Sequence, residues 1–509
     1  MPGAHDSGNQ TSSKVWILIT VMMAMMLAAL DMTIVGTAMP SIINDLHGLA
    51  NYSWVFSAYL LTSTVPVPIF SKLADMYGRK KLFLLGAGIF TLGSLLCGLS
   101  NSMLALIFFR AIQGLGAAGV LPIALTIIGD VFTLEQRAKV QGFFSAVWGV
   151  SAVVGPLLGA LIVQYSNWRI VFYLNVPIGI IVMIILFFSF KEKIQSTKHQ
   201  IDFLGTLLLT VSVTSLLLVL VEDANQLLST PALTLFAVSL VSLIGFIVWE
   251  RRAKEPVLPG ILFSNRMLLV ANGSNLFAGA VMFGLISYLP LYIQGVLGGS
   301  PTLAGRAITP MLIGWPLAAL VAGPIILRIG FRLITIVGGL LIALGSLVLA
   351  IALQGDTWTM NVALLFIGIG LGFSLTSLLI AAQNAVPWQV RGAVTGSSQF
   401  FRTIGGSVGV AIMGTILNDE LTMQSIHRHV AENPSNITGV LLSTTTRSHL
   451  SHQLLSSFTS ILNVALHEVF VTGFLFAVGV ALLVAFLPNE KSRKQVKHST
   501  NSLTTLGEM

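Results

Sequence analysis

The stretch Ser71-Lys-Leu-Ala-Asp75-Met-Tyr-Gly78-Arg79-Lys80 follows an apolar run, and a related stretch returns later in the chain. The second copy, Gly323-Pro-Ile-Ile-Leu327-Arg328-Ile-Gly330-Phe-Arg332, begins 252 residues further on. Another pair of segments matches as well, because Arg137 to Gly142 resembles Arg391 to Gly396 at an offset of 254 residues. Two nearly equal offsets predict two repeated halves, an architecture typical of membrane transporters.

The composition of the chain excludes a soluble protein. Of 509 residues, 55% are hydrophobic and only 9% are charged, whereas a soluble chain carries about 25% charged residues. A soluble fold of this length would need far more charge to cover its surface, so we predict a membrane protein that is not an enzyme. Cys97 is the only cysteine, which excludes a disulfide within the chain and a cysteine-based metal site.

Apolar runs long enough to cross a bilayer, about 20 residues each, recur along the whole chain. They do not alternate between polar and apolar residues, as the strands of a membrane barrel would over about ten residues. The sequence therefore predicts an all-α polytopic membrane protein with fourteen transmembrane helices. The predicted spans are 15–39, 52–71, 82–100, 103–128, 138–164, 168–190, 203–221, 232–249, 267–294, 302–327, 333–353, 357–381, 392–418 and 467–487.

The distribution of lysine and arginine predicts the orientation. With the N-terminus in the cytoplasm, 21 of the 27 Lys and Arg residues fall in inner segments, four in outer segments and two inside helices. Inner loops of membrane proteins are enriched in these residues, so we predict a protein of the cell membrane with both termini cytoplasmic. Loops that face anionic lipid then explain the net charge of +8, and no nucleic-acid partner is needed.

The repeated halves and the predicted spans divide the chain into five regions. Each half is a six-helix bundle, and two additional helices lie in the linker between the bundles. The predicted regions are a cytoplasmic tail at 1–14, the first bundle at 15–190, the linker at 191–266, the second bundle at 267–487 with an outer loop at 419–466, and a cytoplasmic tail at 488–509.

Three charged residues lie deep inside apolar runs: Asp31, Arg110 and Arg402. A charge at the centre of a membrane costs at least about 2.5–3.5 kcal/mol, so each is expected to be paired or functional. A rise of 1.5 Å per residue, counted from the outer ends of their helices, places Asp31 and Arg110 at a similar depth. The two residues form either a structural salt bridge or a titrating carboxylate modulated by the arginine.

The loop between the second and third predicted helices has an ordered pattern of charges. Gly78 permits a tight turn, Asp75 can accept from the backbone amides at a helix N-terminus, and Arg79 can pair with a carboxylate such as Asp130. These contacts predict a cytoplasmic latch formed by Asp75, Gly78, Arg79 and Asp130, and a loop that only anchors the orientation is the alternative. Leu327 replaces the acid in the second half, so only the first half can carry the full latch.

The fifth predicted helix contains Gly149-Val-Ser-Ala-Val-Val-Gly155-Pro156-Leu-Leu-Gly159. Small residues allow helices to approach closely, and proline kinks a helix. The combination of Gly155, Pro156 and Gly159 favours a hinge that opens and closes a pathway over packing alone.

Together these motifs resemble those of the major facilitator superfamily, and within it the 14-helix drug:proton antiporter family of multidrug exporters. The resemblance covers nearly the whole chain. It rests on Leu30 to Pro40, Asp75 to Lys81, Arg110 to Gly116, Gly149 to Gly159 and Gln399 to Gly406. The chain departs from the family pattern at Ser71, where glycine is usual, and at Met76, where a basic residue is usual.

The resemblance implies a major facilitator fold in which Asp31 is the proton or cation site and Arg110 is its partner. Arg402 is either structural or attracts an anionic group of the substrate. The other residues expected to line the substrate cavity are Trp54, Tyr59, Gln113, Trp148, Tyr288, Tyr292 and Gln294.

The resemblance also implies proton-coupled efflux of lipophilic, mostly monocationic or neutral drugs by alternating access. An exporter of a lipid or an endogenous metabolite is the first alternative, and an uptake symporter for a polar solute is the second. The sequence has no nucleotide-binding loop of the G-x-x-x-x-G-K-[ST] type, so an ion gradient must supply the energy. We expect a monomer without cofactor or metal, and small lipophilic molecules, protons and membrane lipid as its partners.

Overall fold

The computed structural model describes residues 6–46, 52–190, 192, 202–221, 230–351, 357–427, 434–442, 447 and 450–488. Within these ranges every regular element is a helix. The first ten α-helices are α1 (Asp6–Leu46), α2 (Tyr52–Thr64), α3 (Val67–Tyr77), α4 (Arg79–Gly98), α5 (Met103–Val131), α6 (Leu134–Tyr165), α7 (Ile170–Tyr173), α8 (Asn175–Ser189), α9 (Phe203–Val221) and α10 (Thr230–Glu250). The remaining nine are α11 (Ile261–Ser264), α12 (Arg266–Leu291), α13 (Pro301–Ala307), α14 (Thr309–Ile329), α15 (Phe331–Ile351), α16 (Thr357–Asn384), α17 (Arg391–His427), α18 (Pro434–Leu442) and α19 (His452–Ala485).

The prediction of an all-α membrane protein is confirmed. In the part of the chain that the structure describes, twelve helices are long and apolar enough to cross a membrane. Two further apolar stretches, Gly142–Ser151 and Phe203–Val219, are shorter. Each predicted span falls on one or more helices, and the total of fourteen crossings stays a prediction.

Several helices begin, break or end where hydropathy does not predict it. The predicted span 52–71 is divided between α2 and α3 next to Pro66, because proline lacks the N–H group that a continuous helix needs. The predicted outer loop 419–466 is in large part helical, since α17 continues to His427 and α19 begins at His452. Ser451 caps α19 by accepting from the backbone N–H of Leu454, so this start is set by capping and not by the edge of the apolar run.

One compact unit comprises Met1–Thr133, Phe143–Leu262 and Val386–Ser407. Its centre is the packing of α1, α4, α5 and α8. At Gly116 a Cβ atom would collide with the backbone of Phe90, so the close approach of α4 and α5 requires glycine. This tight packing holds the charged residues of α1 and α5 in fixed positions.

The two additional helices, α9 and α10, form a pair within this unit. Ser212 Oγ donates to the Ser239 carbonyl at 3.0 Å, and Ser239 Oγ donates to the Ser212 carbonyl at 2.9 Å. The other side of α10 exposes large apolar residues, among them Phe236, Val241 and Ile244. Such a surface suits lipid, which makes α10 a peripheral helix of its unit.

The other compact unit comprises Leu134–Gly142, Phe263–Ala385 and Val408–Met509. In it α16 packs against α14 and α15, and α19 packs against α12 and α15. Ser374 Oγ donates to the Thr335 carbonyl at 3.1 Å, and a Cβ atom at Gly338 would collide with Ser374. The predicted bundle boundaries stay a prediction.

Candidate functional site

The carboxylate of Asp31 is buried within the first compact unit. It lies on α1, and its side chain is 0% exposed. Arg110, on α5, is buried to the same degree, and its Nη1 lies 2.5 Å from Asp31 Oδ2. The two charges that the sequence places at a similar depth therefore form an ion pair inside membrane-spanning helices.

The guanidinium of Arg110 also contacts α2. Its Nε donates to the carbonyl of Val55 at 3.4 Å, and its Cζ lies 4.1 Å from the centre of the Tyr59 ring. Its Nη1 donates to Gln113 Oε1 at 2.7 Å, one turn further along α5. A carboxylate, an amide and an aromatic face thus surround the cation, which stabilises its charge away from water.

Two amide side chains complete the surroundings of Asp31. Gln113 Nε2 donates to Asp31 Oδ1 at 2.7 Å, and Asn175 Nδ2 from α8 donates to the same oxygen at 3.0 Å. Both amides also donate to Ser94 Oγ, at 2.7 and 3.3 Å. Three donors, one of them the Arg110 cation, therefore surround the two oxygens of Asp31. We call Asp31, Arg110, Gln113, Asn175 and Ser94 the buried polar cluster.

The predicted latch residues also lie together in the first unit. Gly78 separates α3 from α4 with a φ of 101°, a backbone conformation that favours glycine. Arg79 Nη2 lies 2.7 Å from Asp75 Oδ1, and Arg79 Nε lies 3.2 Å from Asp130 Oδ2. Arg79 is 1% exposed, so these ion pairs are shielded from water.

The latch residues contact the start of α17. Asp75 accepts from the backbone N–H groups of Gly392 and Ala393, at 3.0 and 2.7 Å. Arg79 donates to the carbonyl of Trp388 at 2.8 Å, and its guanidinium lies 3.9 Å from the centre of the Trp388 ring. An anion at a helix N-terminus is stabilised by the partial positive charge there, which explains the position of Asp75.

The predicted hinge lies where α6 meets α1. A Cβ atom at Gly155 would overlap the Thr33 hydroxyl, and one at Gly159 would overlap that of Thr37. Thr33 Oγ1 also lies 3.1 Å from the carbonyl of Ser151. Both glycines therefore permit a close approach of two helices. The side chain of Pro156 lies outside the described part of the chain, and the hinge stays a prediction.

The residues predicted to line a cavity have different environments. Tyr59 and Gln113 contact Arg110. Three others lie in the second unit. The hydroxyl of Tyr288 donates to the Val410 carbonyl at 2.8 Å, and the buried Tyr292 packs edge-on against Phe470. The backbone carbonyl of Gln294 accepts from Arg447. Trp54 is 41% exposed and Trp148 is half-buried, and Arg402 donates to Gln399 Oε1.

A comparison with known families decides the class of protein. Residues 21–410 match the Major Facilitator Superfamily. The chain belongs to this superfamily. The match covers the buried polar cluster, the latch and the start of α17.

Relatives place this major facilitator protein among multidrug efflux transporters. It is similar to the multidrug transporter protein MdtP of Bacillus subtilis, with 37% identity over 95% of each chain. It is also similar to multidrug resistance protein 3 of Bacillus subtilis, with 36% identity over 82% of each chain. The expected family is therefore confirmed, and the chain is a multi-pass membrane transporter.

Solved structures support the fold of this transporter. It resembles the human organic anion transporter MFSD10 with a TM-score of 0.61 and 12% identity, covering 91% of this chain and 99% of that one. It resembles the proton:xylose symporter XylE with a TM-score of 0.60 and 12% identity, covering 94% and 97% of the two chains. At this identity the likeness concerns the major facilitator fold alone.

Sequence reasoning missed several residues that contact the predicted ones, including the following four. Asn175 and Ser94 belong to the buried polar cluster, Trp388 contacts Arg79, and Glu192 accepts from the backbone N–H groups of Arg79 and Lys80, each at 3.0 Å. Asn175 had a signal, since it is the only amide in the apolar run 168–190. The others had none, because neither hydropathy nor spacing indicates which neighbours Ser94, Trp388 and Glu192 contact.

Proposed function

We propose that this transporter exports lipophilic molecules, mostly monocationic or neutral, in exchange for protons and by alternating access. The observation that carries the proposal is the buried ion pair of Asp31 and Arg110. It is a titratable carboxylate inside a membrane-spanning helix, where an unused charge would only be a cost. The relatives named as multidrug transporters support the class of substrate.

Proton uptake by Asp31 would change how three helices are joined. When Asp31 is ionised, it accepts from Arg110 on α5 and from Asn175 on α8. A protonated carboxyl group has no charge to pair with Arg110, so the tie between α1 and α5 weakens. Proton binding and helix arrangement are then coupled, because each arrangement has a different affinity for the proton.

The latch would act at the cytoplasmic end of the same unit. Asp75, on α3, bonds to the first turn of α17, and Arg79, on α4, bonds to Trp388 just before it. Movement of α17 away from α3 would break two hydrogen bonds to a carboxylate and one to a carbonyl. We infer that the latch stabilises one conformation of the transport cycle, with the loop and both chain termini in the cytoplasm.

The proposal is tested with the purified full-length protein in liposomes. A panel of cationic dyes is added without a gradient, and proton release is measured with a pH indicator. Efflux is then measured with a pH gradient imposed. We expect Asp31→Asn to abolish both signals while the protein still folds. Asp45→Asn is the matched control, because Asp45 lies on the same helix in a half-exposed pair with Arg169.

The outcomes separate the alternatives. Proton release on dye addition supports exchange, whereas proton uptake together with the solute would indicate a symporter. A response to lipids or endogenous metabolites but to no dye would favour the metabolite exporter. Dye export against a gradient by Asp31→Asn would exclude Asp31 as the coupling residue, and Asp419 or Glu468 would then be examined.

A further inference from the structure

Within the described residues, Arg402 is a cation of a membrane-spanning helix without an anionic partner. It lies about eleven residues into α17, which is a rise of about 16 Å and therefore near the middle of a bilayer. Its Nη2 donates to Gln399 Oε1, one turn earlier. No carboxylate among the described residues lies within ion-pair distance of its guanidinium. The positive charge of Arg402 is thus uncompensated where the cost of a charge is highest.

The two buried arginines of this unit, Arg79 and Arg110, differ from Arg402 in this respect. Arg110 pairs with Asp31, and Arg79 pairs with Asp75 and Asp130. Both guanidiniums are 1% exposed, as expected for cations whose counter-ions belong to the protein. Arg402 and Gln399 are instead partly exposed. A partly exposed cation that lacks a counter-ion among the described residues can take one from a ligand.

The side chain of Gln399 lies beside that of Arg402 on α17. The two residues share one face of the helix at a spacing of three residues, and both are partly exposed. Charged side chains in membrane-spanning helices avoid lipid and face a polar space. The face with Gln399 and Arg402 therefore presents a guanidinium fork and an amide to whatever enters that space.

We propose that Arg402, positioned by Gln399, binds a carboxylate or a similar single anionic group of the substrate. The inference rests on the proposed export function and adds amphiphiles with one anionic group, zwitterions included, to its substrates. A guanidinium offers five N–H donors in a planar fork that fits a carboxylate with two parallel hydrogen bonds. The bond to Gln399 uses one nitrogen, which leaves the fork available to a ligand.

The test compares two dyes that differ in one group. Rhodamine 110 carries a free carboxylate, and rhodamine 123 is its methyl ester. Binding of each dye to the purified full-length protein is measured by fluorescence anisotropy. We expect Arg402→Gln to lower the affinity for rhodamine 110 about tenfold or more, the effect of losing a hydrogen bond between charged groups, and to change that for rhodamine 123 less than about twofold.

A second variant keeps the test valid if Arg402→Gln folds poorly. Gln399→Glu places a carboxylate one turn from the guanidinium, so the protein itself would compensate the charge. We expect this variant to lose affinity for rhodamine 110 and to keep or improve that for rhodamine 123. Arg306→Gln, at an exposed arginine of α13, is the control and should change neither affinity.

The results distinguish this inference from the proposed function. If Arg402→Gln alters both affinities equally or neither, or if Gln399→Glu leaves binding of rhodamine 110 unchanged, Arg402 is not an anion-binding residue. Export of rhodamine 123 from liposomes tests the proposed function separately. A wild-type protein that exports the ester but shows no Arg402 effect would refute only the inference made here.

Discussion

The carboxylate of Asp75 accepts a hydrogen bond from the backbone N–H of Ala393 at 2.7 Å, across 318 positions of sequence. With a second bond from Gly392, it caps the start of α17. An anion at a helix N-terminus contributes about 0.3–2 kcal/mol, more when it is partly buried. This capping joins 386–407 to the compact unit that holds α1 to α5.

Replacing Asp75 should release the start of α17. Asp75→Asn keeps the shape of the side chain but removes the charge that faces the helix N-terminus and Arg79. In Asp75→Asn we expect slower dye efflux than in the wild type. We also expect a wider distribution of distances between two spin labels, attached to cysteines introduced by Tyr77→Cys and Gln389→Cys. Lys81→Gln, at an exposed position in the first turn of α4, is the control. Unchanged distances in Asp75→Asn and Arg79→Gln would refute the latch.

Breaking the buried ion pair from one side should destabilise the protein strongly. Arg110→Leu leaves a buried carboxylate without its cation, which costs about 3–5 kcal/mol. The double variant Asp31→Asn with Arg110→Leu should cost clearly less, because no unpaired charge remains. Chemical unfolding in detergent measures both free energies. The control is Arg169→Leu at the half-exposed pair with Asp45, with an expected cost of about 0–1 kcal/mol. Equal costs for the single and double variants would contradict the prediction.

The contact between α1 and α6 should not tolerate a methyl group. Gly155→Ala would place its Cβ against the Thr33 hydroxyl, and overpacking of this kind costs about 1–3 kcal/mol. Gly36→Ala is the matched control, since a Cβ atom there meets nothing within 4 Å. The temperature of thermal unfolding and the rate of dye efflux should both fall for Gly155→Ala and stay unchanged for Gly36→Ala. The double variant Gly155→Ala with Thr33→Ala should recover part of the lost stability and efflux. If the double variant recovers neither, the strain does not arise from the contact with Thr33.

The charges inside the helices should disfavour divalent cations. Asp31, Arg110 and Arg402 sum to a positive charge even when Asp31 is ionised, so a dication finds little attraction and its desolvation is costly. We expect poorer export of a bis-quaternary ammonium compound than of its monovalent analogue, measured in liposomes with the two matched compounds. Equal transport would mean that a further acid lies on the pathway, with Glu468 as the first residue to replace.

The sequence alone indicated where the chain forms apolar helices and to which family it belongs. Length and hydropathy act locally, since about 20 apolar residues form a helix in lipid whatever surrounds them. The scarcity of deep charges singled out Asp31, Arg110 and Arg402, and the equal depth of the first two predicted the ion pair. Local patterns also predicted that Asp75 and Arg79 would find a helix start and an acid.

The tertiary structure decided which groups complete these contacts. Asn175 and Gln113 share the Asp31 carboxylate, Trp388 covers Arg79, and Glu192 caps α4, although none of these pairings follows from spacing. The physical reason is that hydropathy specifies how long a helix is but not which of its faces meets which neighbour. That choice depends on the close approach of α1, α4, α5 and α8, which is set by glycines and small side chains distant in sequence.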